Sequence, residues 1–121
     1  SEYVEMQWQM LQADKPMDLV ISTDRQYTVR EFVEICCGFI DMKITWRGEG
    51  INEKGYYNDQ CIIAIDEFYF RPSEVDNLIG DSSKARSNFN WAPKIGIKEL
   101  AKEMMDSDLL LAKKELVLSK I

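Results

Sequence analysis

The sequence has no histidine and only three cysteines, two of them adjacent at Cys36 and Cys37. Without imidazole a transition-metal centre lacks its commonest nitrogen ligand, and the cysteine spacing fits no zinc motif, so no metal-binding residues are expected. Three thiols leave one over in any disulfide scheme. They read as small buried hydrophobes of a reducing compartment, which places the expected location in the cytoplasm. No apolar stretch approaches the roughly 18 residues needed to span a bilayer, and Ser1 to Leu11 lacks the charged-then-apolar plan of a signal peptide. The net charge is −6, with no run of lysine or arginine as a local exception, so neither nucleic acid nor an anionic membrane is an expected partner.

What is present is ample for a core: 45% of the 121 residues are hydrophobic, enough for one packed domain over residues 1–121. The chain is organised around Phe68 to Asp81. Upstream, Ile62 to Ile65 is short and β-branched enough to be a buried strand, so Arg71 emerges where a strand ends and the chain turns. Pro72 fixes its own φ and holds Arg71 out of helical geometry, which aims a permanent cation from a stiff backbone. On a helical turn begun near Pro72, Glu74 would lie on the same side as Arg71. A guanidinium fork beside a carboxylate suits a ligand carrying a phosphate and a vicinal diol. The same spacing also describes an ordinary exposed ion pair, with Ser73 and Asp76 as a helix start.

Along the chain, Tyr3, Val4, Trp8 and Leu11 define the apolar face of a first helix that stops near Asp14-Lys15-Pro16. Leu19-Val20-Ile21, within Asp18 to Thr23, reads as a buried strand. Thr28 and Glu31 form the pattern of a capping box before a helix that runs to about Cys37, with Gly38 as a stop or the apolar pattern carrying past it. Lys43 to Trp46 is a weak strand. Gly48, Gly50 and Gly55 mark a surface loop from which Arg47 and Lys54 either face an anionic ligand or lie solvated. Asp81 or Ser83 can cap a helix containing Ala85 and Phe89, which Asn90 ends in a left-handed conformation before Pro93. From Gly96 onward, Ile97, Leu100 and Met104, adjoined by Ala101, Met105, Leu109, Ala112 and Leu116, predict a long terminal helix facing the core.

These residues together resemble a known family. Tyr69-Phe70-Arg71-Pro72-Ser73-Glu74-Val75-Asp76, followed by Gly80-Asp81, Lys84-Ala85, Trp91 and Pro93, is similar to the carboxy-terminal part of GDP-mannose 4,6-dehydratases, which are extended short-chain dehydrogenase/reductases. Tyr3-Val4-Glu5 with Trp8, Thr28 to Phe32, Trp46 to Gly50 and Asn52 to Gly55 extend the likeness over nearly the whole chain. Where the family pattern has Leu-Gly-Trp, this chain has Phe89-Asn90-Trp91. The resemblance implies an α/β fold, a substrate-binding lobe of helices with a few short strands that lacks the Rossmann core. It also implies that Arg71 contacts the diphosphate, and Glu74 the ribose hydroxyls, of GDP-mannose or GDP.

In that family the reaction converts GDP-mannose to GDP-4-keto-6-deoxymannose in the GDP-fucose route, using NADP. Its chemistry needs a glycine-rich turn for the cofactor pyrophosphate and a tyrosine with a lysine four residues on. Neither occurs here, so no catalytic or cofactor-binding residues are expected and the chain alone should be inactive. Ser1 then reads as a cut edge, with a nucleotide-binding domain missing before it, or as the start of a separate module. The alternatives are a non-catalytic nucleotide-sugar-binding or partner-binding module, or part of a related epimerase or reductase. A lobe parted from such a domain should expose an apolar patch and self-associate.

Overall fold

The computed structural model describes residues 2–71, 73, 75 and 77–119. Among these described residues it is a mixed α/β structure with four α-helices, α1 Glu2–Leu11, α2 Val29–Gly38, α3 Ser83–Phe89 and α4 Ile97–Leu118, and three strands, β1 Thr45–Arg47, β2 Lys54–Tyr57 and β3 Gln60–Ala64. The packing divides into two compact units, one of Ser1–Tyr27 with Asn77–Leu100 and one of Thr28–Asp76 with Ala101–Ile121. Among the described residues no helix is long and apolar enough to cross a membrane.

The core of the first unit is built from α1 and the α3 region. Met6, Ala85 and Trp91 are buried together, with Met10, Leu19, Ile21 and Phe89 packed around them. Helix α1 ends at Leu11, ahead of the expected stop near Asp14, and its orientation also corrects the sequence reading. Met6 faces inward, while Tyr3, Val4, Trp8 and Leu11 are 54, 67, 62 and 82% exposed. Both sets recur at helical spacing, so periodicity alone does not choose between them; volume does, because flexible Met6 and Met10 fill the gap beside Trp91. Residues 18–23 form no strand, since no segment among the described residues supplies a ladder partner. The turn after α3 is as expected: Asn90 is left-handed at φ 52°, and its N–H bonds to the Arg86 carbonyl. Just before helix α4, the Gly96 N–H donates to the Glu99 carboxylate at 3.0 Å.

The second unit opens with a complete capping box. Thr28 Oγ1 accepts from the Glu31 N–H at 3.1 Å, and Glu31 Oε2 accepts from the Thr28 N–H at 2.7 Å. These two bonds satisfy otherwise orphaned donors and fix where α2 starts. Its three-stranded sheet is antiparallel in the order β1-β2-β3. Asn58 and Asp59, at φ 47° and 60°, make the two-residue turn joining β2 to β3; two successive left-handed residues match the twist of a hairpin.

Gly48 and Gly50 lie in the β1–β2 loop as expected, and a Cβ on Gly48 would sit 2.3 Å from the Asn52 carbonyl oxygen. Gly55 does not. It is buried inside β2, where a Cβ would come within 3.1 Å of Ile44 and Trp46 and 3.2 Å of Ile63. The bare position lets those side chains close over the strand.

Burial departs from the sequence reading at three places. β3, Gln60–Ala64, forms where the apolar run was expected, but Ile62 in it is 41% exposed and Ile65, just past its end, 38% exposed. α4 is long, yet only Ala101 is buried; Leu100 and Met104 are each 44% exposed and Leu116 is 57% exposed. Cys36 and Cys37 are half-buried and Cys61 is exposed, all three as thiols. Burial raises the Cys36 thiol above its ordinary value, and burial followed by the neighbouring Cys36 raises that of Cys37.

Candidate functional site

The approach to Arg71 is a short run of turns beyond β3. The Asp66 carboxylate accepts from the Phe68 N–H at 2.9 Å, the Asp66 carbonyl accepts from the Tyr69 N–H at 3.1 Å, and the Glu67 carbonyl from the Phe70 N–H at 3.3 Å. These bonds turn the chain before it reaches Arg71 and force three aromatics outward. Phe68 and Tyr69 are 85 and 75% exposed, with their rings edge to face at 5.0 Å. Arg71 follows, itself exposed and outside any helix or strand. Ser73 lies in a bend and Val75 carries no regular structure. The helical turn expected from Pro72 falls mostly on Pro72, Glu74 and Asp76, which lie outside the described residues.

Among the hollows of the described surface are two formed by residues of one unit each. One of about 70 Å³ is lined by Glu2, Glu5, Gln9, Asn90, Trp91, Ala92 and Lys94. A wider one of about 550 Å³ runs between the end of α2 and the approach to β1, against Glu34, Gly38, Asp41, Met42, Lys43 and Ile44. Arg71 lines neither. No group of histidine, cysteine, aspartate or glutamate among the described residues could hold a metal ion.

Of the two loop cations, Arg47 is engaged: its guanidinium bonds to Asp59 at 2.6 Å and lies 4.6 Å from the Tyr56 ring centre. Stacking and ion pairing together brace the hairpin instead of presenting a bare charge. Lys54 is exposed on β2 opposite Arg47. Close by, Arg30 pairs with Glu53 and lies 5.3 Å from the Trp46 ring centre, and Trp46 Nε1 donates to Glu34 at 2.8 Å. The exposed side of this unit is therefore a lattice of arginine, aromatic and carboxylate groups already satisfied by one another.

In the first unit the structure assembles a polar node that the sequence reading missed. Asp24, left-handed at φ 54°, accepts from the Ser82 N–H at 2.8 Å and from the Ser82 hydroxyl at 3.0 Å, and it pairs with Arg86. Ser22 Oγ lies 2.8 Å from the Asp24 carboxylate and 2.7 Å from the Gly80 carbonyl, so its single proton serves one or the other. The Ser82 N–H, then the Ser22 and Ser82 hydroxyls, hold the Asp24 carboxyl below its ordinary value. Asp81 is lowered likewise, first by the Ser83 N–H, which it caps at 2.9 Å. The node clamps residues 22–24 to the Gly80 to Arg86 segment. Its one sequence signal is a non-glycine residue suited to a left-handed position at Asp24.

Comparison with known proteins adds identity at the level of family. A family profile described as GDP-mannose 4,6 dehydratase matches residues 1–104. A GDP-mannose 4,6 dehydratase of Drosophila melanogaster is 47% identical over 116 residues, covering 94% of this chain and 29% of that protein. GDP-mannose 4,6 dehydratase 1 of Arabidopsis thaliana is 44% identical over 98% of this chain and 28% of its own length. A GDP-mannose 4,6-dehydratase of Vibrio cholerae is 39% identical over 97% of this chain and 35% of its own. The chain thus spans about three-tenths of the length of these relatives.

Proposed function

The chain belongs to the GDP-mannose 4,6-dehydratase family, and from that membership we propose that it is the part of such an enzyme that holds the GDP-sugar. In this reading Arg71 binds the diphosphate through its guanidinium fork, and Glu74 accepts from the ribose hydroxyls. The observation that carries it is the position of Arg71. It is an exposed cation immediately beyond a hydrogen-bonded turn, inside the matched region and next to the outward-facing aromatics Phe68 and Tyr69. A site made this way is a half-site, completed by surfaces outside these residues.

NADP does not fit this chain by itself. The three strands form one small antiparallel sheet, with no strand, glycine-rich turn and helix unit among the described residues to receive a pyrophosphate. The oxidation, elimination and hydride return that define the lyase therefore belong to the longer enzyme, in the nucleotide-sugar chemistry of the cytoplasm. The chain alone turns over no GDP-mannose in the presence of NADP.

The test is calorimetric titration of GDP into a full-length family enzyme carrying this segment, with Arg71 intact and with Arg71→Ala. Loss of a hydrogen bond between charged groups should cost about 1.5–3 kcal/mol, roughly 10- to 150-fold in Kd. An unchanged Kd removes Arg71 from the site.

A further inference from the structure

Of the serines and threonines in the sequence, Thr28 and Ser73 alone have an acidic residue three positions on, Glu31 and Asp76. That spacing has two physical meanings. At the start of a helix it is a capping box. On an open, exposed stretch it is the pattern read by acid-directed protein kinases, whose basic substrate pocket takes a carboxylate just downstream of the hydroxyl that receives the phosphate.

The structure separates the two. Thr28 Oγ1 accepts from the Glu31 N–H at 3.1 Å and lies 2.9 Å from Glu31 Oε2, which in turn accepts from the Thr28 N–H at 2.7 Å. Hydroxyl and acid are both committed to starting α2. Ser73 has the opposite setting. It is exposed in a bend, Val75 is 64% exposed, and the described residues between β3 and α3 form no helix or strand. Among the described residues no backbone–backbone hydrogen bond ties Ser73 or Val75 to another segment. Such a stretch can enter a kinase cleft without breaking a helix or a sheet. Glu74 stands immediately after Ser73 in sequence, which adds a second downstream carboxylate to Asp76.

Arg71 precedes Ser73 by two residues, so their Cα atoms are at most about 7 Å apart. A phosphoserine carries about −1.5 to −2 charge and three acceptor oxygens. A guanidinium fork binds that group as it binds a diphosphate, bidentately and through charge-assisted hydrogen bonds. We propose that Ser73 is a phosphorylation site whose phosphoryl group takes Arg71 in place of the nucleotide's diphosphate, which turns GDP-sugar binding down. In the modification the γ-phosphoryl group of ATP passes to Ser73 Oγ. The new P–O bond forms as the bond to the β-phosphate oxygen breaks, the serine proton goes to the kinase's base, and ADP leaves. Negative charge added beside the pocket also repels an incoming GDP. The inference rests on the reading of Arg71 as the cation that holds the diphosphate.

The experiment treats a full-length family enzyme carrying this segment with ATP and casein kinase II, an acid-directed kinase, and maps the product by tandem mass spectrometry. The expected result within residues 1–121 is one phosphoryl group, on Ser73, with Thr28 unmodified. Ser73→Ala should take up none and bind GDP within about twofold of the parent, as exposed substitutions usually allow. By calorimetry the phosphorylated enzyme should bind GDP at least roughly tenfold more weakly, and phosphatase treatment should restore the affinity. In an Arg71→Ala background phosphorylation should change the Kd much less, because the two groups act on each other. No incorporation at Ser73, incorporation at Thr28 instead, or an unchanged Kd after full phosphorylation would each overturn the proposal. If Arg71→Ala weakens GDP binding and phosphorylation does not, this inference fails alone; if Arg71→Ala has no effect, the reading beneath it fails first.

Discussion

Helix α1 offers a direct contest between two side chains two positions apart in sequence. Met6 is completely buried and Trp8 is 62% exposed. Truncating a buried methionine to alanine removes its transfer free energy and leaves a cavity, typically about 2–5 kcal/mol in all. The surroundings are Ala85 and Trp91 with partly exposed Met10, Leu19, Ile21 and Phe89, which can close into the space, so the expected cost of Met6→Ala is at the lower end, about 2–3 kcal/mol. Trp8→Ala removes a larger side chain, but one largely in water before and after folding, and should cost less than about 1 kcal/mol. Urea unfolding followed by far-UV circular dichroism separates the two. With a slope of about 2 kcal/mol/M, Met6→Ala should lower the midpoint by roughly 1–1.5 M and Trp8→Ala by less than half that. If Trp8→Ala cost as much as Met6→Ala, the helix would be packed through its Trp8 side and the reasoning from burial would fail.

Other expectations concern local devices. Thr28→Ala removes the capping box of α2 and should destabilise by about 1 kcal/mol, measurable as a lower urea midpoint, whereas Thr28→Ser should retain most of the cap. The Asp24 carboxyl lies below its ordinary value of 3.8, so the stability it contributes is fully present above that value and is lost as pH falls through its lower folded value. Asp24→Asn should therefore be less stable at neutral pH and lose part of the acid-side slope in a series of melts taken from neutral pH down to about pH 2. Alkylation of the native chain at neutral pH, read by mass spectrometry, should modify exposed Cys61 before Cys36 and Cys37, whose thiols burial holds in the protonated form.

Signals carried by neighbouring residues were legible in the sequence. The Thr28 and Glu31 box, the left-handed Asn90 and the long α4 all follow from local chemistry, and local chemistry survives in the structure. Facing was not legible, because α1 offers two apolar stripes and only the neighbours at Ala85 and Trp91 decide between them. β2 was missed since Gly55 reads as a loop residue, although its small size is what lets Ile44, Trp46 and Ile63 close over it. The Asp24 node joins residues 58 and 62 positions apart, a distance at which no spacing rule operates. At the candidate site the strand was legible but its end lies at Ala64, seven residues before Arg71, and Glu74 falls outside the described residues.

The three tryptophans have a practical consequence. Trp91 sits at 7% exposure in the core of one unit, and Trp46 belongs to the sheet of the other, with its indole N–H bonded to Glu34. Versions retaining only one or the other indole would emit from a dry setting in the first case and from a carboxylate-bonded one in the second. Each unit thus carries its own optical probe, and melting both versions would reveal whether the halves of this chain come apart in one step or in two.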